Sequence, residues 1–489
     1  MSLKRQVASS LFWVALSQLF GSGLTLVTSL IVAKLLGPAA LGLVGMAGLA
    51  IAALQYFQNI GFDAALIYRR DEVENASHTA FVTVIASSLV VYLTAVLAAP
   101  WVALFFREPA VTPILRVLAL TILISSVGRV PAILMERELN FRRRILPELT
   151  ANAIGSGTAI ALALSGVGVW SLVWGQLIGT TLASALVWFV TSWRPRLRFR
   201  PQLARELFHY GKHIVGSQTL IFLITNVDNA VVGRYAGDAA LGFYSFAYNL
   251  SNRPATQIAS VLTRVMFPAL AKLSSSAVEA AEARARYYMT IVHYVTWLTA
   301  PIAAATILFA PEFIYGLYGP EWAPAITPLQ LLAIYGFVRS IAANMGSVLR
   351  AMGKPHWLTA IAIWRLATML ATLYPVTKLW GITGVSWLSA IVAVVDFVIS
   401  ATLVGKVVDA PWRAYARILI PTLAAALVAG LLAHWLYPFL PLAKTAWRLL
   451  AAGVVLVILY GALVWLADAR LRAAVAAGFA YLRRWYRRC

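Results

Sequence analysis

Ser217–Pro254, SQTLIFLITNVDNAVVGRYAGDAALGFYSFAYNLSNRP, reads as two apolar helices joined at Gly237. It carries Gln218, Thr225, Asp228, Asn229, Asn249 and Arg253 at positions where a lipid-embedded helix holds few polar groups. An echo lies upstream, in SQLFGSGLTLVTSLIVAKLLGPAALGLVGMA from Ser17. The pairs Ser17/Ser217, Gln18/Gln218, Thr25/Thr225, Val32/Val232 and Gly37/Gly237 coincide without a gap, as does Ala39 to Gly42 with Ala239 to Gly242. The chain therefore reads as an internal duplication.

Composition sets the solvent. Hydrophobic residues make up 61% of the 489, charged residues only 12%, and the mean hydropathy is +0.79. Such a chain is an all-α membrane protein, because in hydrocarbon only a helix or a closed barrel satisfies its own backbone. Apolar runs of about 20 residues, long enough to span a bilayer core, recur from residue 10 to residue 467 and predict about fourteen transmembrane helices. The first begins near Ser10 without a small-residue cleavage site and is expected to be retained rather than removed as a signal peptide. The single cysteine is Cys489, which leaves no partner for an internal disulfide and no cysteine metal cluster.

The formal charge of +22 is distributed by loop. Arg69, Arg70, Arg137, Arg142, Arg143, Arg144, Arg194, Arg196, Arg198, Arg200, Arg284 and Arg286 fall in loops on one side; the opposite loops hold little beyond Arg107, Lys378, Lys444 and Arg448. That asymmetry predicts both termini in the cytoplasm. The charge is read as a topology signal, and nucleic acid is not an expected partner.

The duplication extends further. Leu115, Leu118, Ala119 and Ser126 align with Leu329, Leu332, Ala333 and Ser340, and GVGVW at Gly166 with GITGVSW at Gly381. Two six-helix lobes related by a parallel repeat follow, residues 1–192 and 213–408, the arrangement of transporters that rock two halves about a cavity. Between them, residues 193–212 are expected to form a cytoplasmic amphipathic linker held at anionic headgroups by its arginines. Residues 409–468 add two further spans, and 469–489 form a basic cytoplasmic tail. Ser276 and Glu279 suit a capping box, and the aromatic, turn-rich run from Pro311 suits a short interfacial element.

Polar residues at membrane depth are the candidate site. Asn249, Arg253, Gln257 and Arg264, with Ser260 between the last two, recur at steps of three and four on one face of the eighth span; Arg339 lies in the tenth, Arg129 in the fourth and Arg365 in the eleventh. Guanidinium groups engage phosphate oxygens through paired donors, so these seven predict a cavity for an anionic, phosphorylated substrate. The competing reading is structural ion pairing with Asp63, Glu136, Asp228 or Asp396, although the acids are outnumbered. A second group, Asp228, Asn229, Thr225, Gln218, Gln18, Thr25, Asp63 and Asp396, holds the cavity-lining and coupling-ion candidates, the carboxylates being suited to H⁺ or Na⁺. The neutral members equally suit hydrogen bonds between helices. No phosphate-binding glycine loop, metal-ligand spacing or catalytic constellation is present, so neither an enzyme nor a cofactor is expected.

With repeat and arginine stripes in hand, the chain resembles the Wzx-type polysaccharide flippases of the multidrug/oligosaccharidyl-lipid/polysaccharide exporter superfamily, and within them the colanic acid and lipopolysaccharide biosynthesis branch. The resemblance is carried by DNAVVGRYAGDAALGFYSFAYNL from Asp228, FPALAKL from Phe267, YGPEWAPA from Tyr318, LRAMGKP from Leu349 and GVGVWSLVWGQL from Gly166, and covers at least residues 1–410. It implies a V-shaped cavity between two six-helix lobes and alternating-access transport of an undecaprenyl-diphosphate-linked oligosaccharide to the periplasmic leaflet of a bacterial inner membrane. The implied partners are that lipid-linked glycan, membrane lipids, a polysaccharide polymerase and glycosyltransferases. A drug or metabolite antiporter and a lipid II flippase of the same fold are the rival functions.

Overall fold

The structure, a computed structural model, describes residues 3–58, 63, 66–67, 69, 71–138, 141–196, 198–273, 278–442 and 444–467. The side chains of 3–17, 19, 56–58, 141–142, 207–208, 210–218, 260–273, 278–282 and 467 lie outside the described set. Arg264 and Gln218 are therefore placed on their helices by backbone alone, and Ser276 and the tail 469–489 fall outside the described residues altogether.

Among the described residues the chain is helical and without strands. Twelve long helices follow in order: α1 Leu3–Gln58, α2 Val73–Phe106, α3 Val111–Arg137, α4 Phe141–Leu164, α5 Trp170–Val190, α6 Pro201–Ala236, α7 Asp238–Leu273, α8 Val278–Leu317, α9 Ile326–Ala351, α10 Pro355–Val408, α11 Trp412–Leu436 and α12 Thr445–Ala467. Of the aromatic run from Pro311 expected to lie at the interface, the first part ends α8 at Leu317 and the second forms a 3₁₀ turn, Pro320–Ala325. Nine helices among the described residues are long and apolar enough to cross a membrane. The other three carry polar groups along their length, such as Glu148 and Asn152 in α4, Asp228 in α6 and Arg253 in α7. Large apolar side chains face outward in number, Phe189 at 85% exposure and Leu466 at 73% among them. A water-soluble protein does not present that surface, whereas a multi-pass membrane protein does.

Two glycines explain where long helices break. Gly37, inside α1, has φ 77° and ψ 174°; Gly237, between α6 and α7, has φ 91° and ψ −178°. Both adopt the same left-handed extended turn, which costs a side-chain-bearing residue heavily, and Pro38 then restarts the first helix with its φ already set. A third such break, at Gly381 (φ 56°), interrupts α10.

Contacts divide the chain into two units. The first comprises Met1–Phe246 with Met369–Val385; the second, Ala247–Thr368 with Ser386–Cys489. This division differs from the repeat-based lobes because local packing draws residues after Gly237 to the first unit: the start of α7 lies against α1 at Gly42 and Gly45, and Tyr374 meets Tyr235 edge to face at 4.8 Å.

Within the first unit, α4 and α5 pack through small residues. A Cβ on Gly155 would stand 2.9 Å from the Gly179 Cα, and one on Gly175 2.6 Å from the Ala159 Cβ. The Gly175/Gly179 spacing is the four-residue motif that lets helix backbones approach in lipid. Residues 191–196 and 198–200 are without regular structure, with extended backbone at Thr191 and Arg200, and the expected linker then enters α6 at Pro201. It is pinned to the start of α2: the Arg196 amide donates to His78 Nδ1 (3.2 Å), the Arg200 amide to Thr79 Oγ1 (3.3 Å), and Trp193 stacks on His78 at 5.4 Å. Arg200 pairs with Glu72 at 2.8 Å and Arg196 with Glu74 at 3.7 Å. Two arginines expected at headgroups are thus engaged by acids of the protein itself.

In the second unit, α8 is enclosed by α9, α11 and α12. Tyr415 donates to the Tyr288 hydroxyl (2.9 Å) and Tyr460 to the Trp297 carbonyl (2.8 Å), both partners lying on α8. The two helices after the repeat are therefore integral to this unit's core, not peripheral to it.

Candidate functional site

In the first unit a cavity of about 910 Å³ opens among α1, α3, α4 and α5. Its wall holds Thr25, Thr28, Ser125, Asn152, Ser156, Gln176 and Thr180 with two ion pairs. Arg129 clasps Asp63 with two donors, Nε reaching Oδ1 at 3.0 Å and Nη2 bonding Oδ2. Arg144 Nη1 meets Glu136 Oε2 at 2.7 Å. Glu148, exposed, adds a third carboxylate. Two guanidiniums thus face three acids, and the remaining wall mixes hydroxyl and amide groups with a larger apolar share that includes Ile67, Ile133, Leu172 and Val187; among the described residues it hydrogen-bonds neutral ligands and offers no surplus cation to a phosphate.

The second unit carries the opposite balance. Asp396, on α10 and 6% exposed in its side chain, sits between Arg365 (3.4 Å) and Arg339 (3.6 Å) and accepts from Ser400 Oγ at 3.2 Å. Arg339 is hydrogen-bonded to Tyr335, one turn earlier on α9. Tyr335 in turn lies against Tyr248 of α7, hydroxyls 3.5 Å and rings 5.7 Å apart. The α7–α9 approach is set by Gly336, where a Cβ would stand 2.7 Å from the Ser251 carbonyl, and by the Ser251 hydroxyl, which donates to the Leu329 carbonyl at 3.0 Å. Arg253 follows on α7, partly buried, and forms no ion pair among the described residues. Asn249 and Gln257 flank it, partly buried and held by neighbours. Two guanidiniums share one carboxylate, and Arg253 adds a third positive charge on α7 that has no acidic partner among the described residues.

The remaining candidates divide by role. Asp228 is buried at 5% exposure; the Tyr244 hydroxyl donates to its Oδ2 at 2.8 Å, and the Asn229 amide to its Oδ1 at 2.8 Å. Thr25 and Thr225 return their hydroxyls to the carbonyls of Gly21 and Ile221, each at 2.8 Å, the usual bond of a threonine inside a helix. Gln18 is partly buried and engaged by the protein.

Sequence reasoning did not single out Tyr248, Tyr335 or Tyr244, nor Asn152 and Gln176 of the first cavity. Tyr335 was within reach, since four residues before Arg339 puts it on the same helix face. The Asp228–Tyr244 bond joins two helices across the Gly237 break, so helical periodicity did not signal it.

The comparisons agree with this architecture. Residues 31–327 match the family described as polysaccharide biosynthesis protein. The succinoglycan biosynthesis transport protein ExoT of Rhizobium meliloti (strain 1021) is 26% identical, with 82% of this chain and 79% of that protein covered. The lipopolysaccharide biosynthesis protein WzxC of Escherichia coli (strain K12) is 22% identical, with 88% and 89% covered. In fold, the chain superposes on the lipid II flippase MurJ, inward closed conformation, with a TM-score of 0.71, 13% identity and coverage of 93% of this chain and 98% of that one.

Proposed function

Because the chain belongs to the polysaccharide biosynthesis protein family, matched over residues 31–327, we propose that it is a flippase for the lipid-linked oligosaccharides from which surface polysaccharides are made. The cargo is an undecaprenyl-diphosphate-linked repeat unit, moved by alternating access from the cytoplasmic to the periplasmic leaflet of a bacterial inner membrane, for exopolysaccharide or lipopolysaccharide synthesis. The observation that carries this reading is the charge imbalance of the second unit, where Arg339 and Arg365 share the carboxylate of Asp396 while Arg253, on α7, forms no ion pair among the described residues. Guanidinium groups hold phosphate through paired, charge-assisted bonds, and a membrane-buried cationic surplus is costly unless a ligand neutralises it.

The first unit's cavity supplies the complementary environment. The hydroxyl and amide groups of its mixed wall, Thr25, Ser125, Asn152, Gln176 and Thr180, replace the water that glycan hydroxyls would otherwise surrender, at several kcal/mol per unpaired group in hydrocarbon. The polyprenyl tail stays in the bilayer. A cationic-drug antiporter is disfavoured by an arginine-rich cluster, and likeness to the lipid II flippase is one of fold.

The topology proposed is fourteen spans with both termini cytoplasmic. Its support is that α1 and α10 each contain a glycine break, so twelve long helices yield fourteen helical segments, together with the one-sided arginine distribution. The six-helix lobes 1–192 and 213–408 find support in matching turns: Gly37 with Gly237, and Gly166 (φ 77°) with Gly381 (φ 56°). H⁺ or Na⁺ coupling through Asp228 fits its burial among hydrogen bonds. A polymerase that removes the delivered glycan and the glycosyltransferases that build it are the partners.

The test is complementation of a strain deleted for this gene, with leaflet-resolved measurement of the lipid-linked oligosaccharide. Arg253→Ala is expected to let the oligosaccharide accumulate on the cytoplasmic side and to cut surface polymer by about tenfold or more, the loss of one charge-assisted contact of at least about 1.4 kcal/mol. Arg253→Lys, which keeps the charge and loses the fork, should fall between. Wild-type polymer from Arg253→Ala at normal protein level would sink the diphosphate role.

A further inference from the structure

Apart from the Asp396 cluster, the second unit contains a cavity of about 720 Å³ between α8 and α11 that reaches Val464 of α12. Its chemistry changes along its length. Arg286 and Arg417 stand near the start of their spans, Ala283–Leu317 and Trp412–Phe439, both exposed. Asp409 lies on the same wall, the one acidic residue lining the cavity among the described residues. Trp412, 46% exposed, marks that level as the membrane interface, where indole rings settle. Deeper along α11 the wall becomes mostly apolar through Ile418, Pro421 and Ala425, with the Thr422 hydroxyl turned back to the Ile418 carbonyl and Thr290 and His293 on the α8 side. From Arg417 to Ala425 is eight residues, about 12 Å of helix.

A basic rim at headgroup level above an apolar slot is the shape of a phospholipid. We propose that this cavity binds an anionic phospholipid, its phosphate held between Arg286 and Arg417 and one acyl chain lying along Ile418, Pro421 and Ala425. Two guanidiniums against one carboxylate leave a single positive charge, which matches a monoanionic phosphodiester. A polyprenyl diphosphate brings more negative charge, and beside Asp409 it meets an uncompensated repulsion. Free phosphate has no use for the apolar slot. The site is separate from the Arg253–Asp396 residues proposed for transport. It makes α11 and α12, which lie outside the repeat, a lipid-reading element of this unit.

The experiment uses the full chain in nanodiscs of phosphatidylcholine with and without phosphatidylglycerol, reading retained lipid by native mass spectrometry and stability by thermal unfolding. The wild type is expected to retain phosphatidylglycerol over phosphatidylcholine and to unfold at higher temperature in its presence. Arg286→Ala with Arg417→Ala should weaken retention about thirtyfold, at roughly one headgroup-level charge each. Arg413→Ala, an exposed arginine of α11 outside the cavity, should leave retention unchanged. Ala425→Leu, which fills the slot and keeps both arginines, should also lose the lipid, so the proposal is tested even where the double variant folds poorly. Retention of phosphatidylglycerol by both variants overturns it. So does an equal thermal shift from millimolar inorganic phosphate, or displacement of phosphatidylglycerol by equimolar undecaprenyl diphosphate.

Discussion

Gly42 and Gly242 make reciprocal contacts: a Cβ on Gly42 would fall 1.8 Å from the Asp238 carbonyl oxygen, and one on Gly242 1.9 Å from that of Pro38. Both obstacles are backbone, so neither helix can yield by turning a side chain. The two contacts exchange under the same register that aligns Gly37 with Gly237, which makes this crossing the local two-fold of the duplication. Gly42→Ala and Gly242→Ala are each expected to destabilise the protein by about 1–3 kcal/mol, the usual cost of overpacking, and by similar amounts because the contacts are equivalent. Thermal unfolding in detergent measures this, with Gly48→Ala as control because nothing lies within 4 Å of the position. Unequal losses would argue against a symmetric crossing.

Asp396 is the common partner of Arg339 and Arg365. Removing one member of a buried ion pair leaves the other charge without compensation, at about 3–5 kcal/mol. Asp396→Asn is therefore expected to lower yield and unfolding temperature more than Arg365→Ala, which leaves the carboxylate paired with Arg339. A double variant, Asp396→Asn with Arg365→Met, should recover part of the loss. Equal unfolding temperatures for wild type and Asp396→Asn would contradict the shared-counter-ion assignment.

The helices were legible from the sequence because a hydrocarbon solvent demands long apolar runs, and glycines punctuate them. The breaks at Gly37, Gly237 and Gly381 fall where the aligned halves place them. Pairing was less legible. Arg129, Arg339 and Arg365 stood out as charges out of place, yet their acids lie dozens of residues away, for Arg365 beyond the Gly381 break of α10, and helical periodicity does not reach that far. Thr25 and Thr225 share a register and each hydroxyl closes on its own helix, while Thr25 also stands in the wall of the first unit's cavity. The linker's arginines looked like headgroup ligands because Glu72 and Glu74 are far upstream, and folding brings Arg200 and Arg196 to them.

The Arg129–Asp63 pair lines a cavity, with side chains 27% and 36% exposed. Solvent screening at that exposure limits such a pair to about 1 kcal/mol. A double-mutant cycle with Arg129→Ala and Asp63→Ala should return a coupling of about that size, several-fold below the cost expected for Asp396→Asn. The exchange Arg129→Asp with Asp63→Arg should restore stability above either single reversal. A coupling above about 3 kcal/mol would mean that the pair is dry and the cavity does not admit water.

Asp228 and Tyr244 separate bracing from coupling. The Tyr244 hydroxyl is fully buried and donates to Asp228 Oδ2 at 2.8 Å, so Tyr244→Phe strips a donor from a buried carboxylate at about 1–3 kcal/mol. Asp228→Asn keeps an oxygen that can accept from Tyr244 and should cost less stability than Tyr244→Phe. On the proposed coupling role, Asp228→Asn should nonetheless lose the dependence of transport on an imposed H⁺ or Na⁺ gradient, because a neutral amide neither takes up a proton nor balances a cation. Flipping of a fluorescent lipid-linked oligosaccharide in proteoliposomes, with each gradient imposed in turn, reads this directly. A gradient response that survives Asp228→Asn in a stably folded protein assigns Asp228 to bracing the helix pair across Gly237 and removes it from the coupling path.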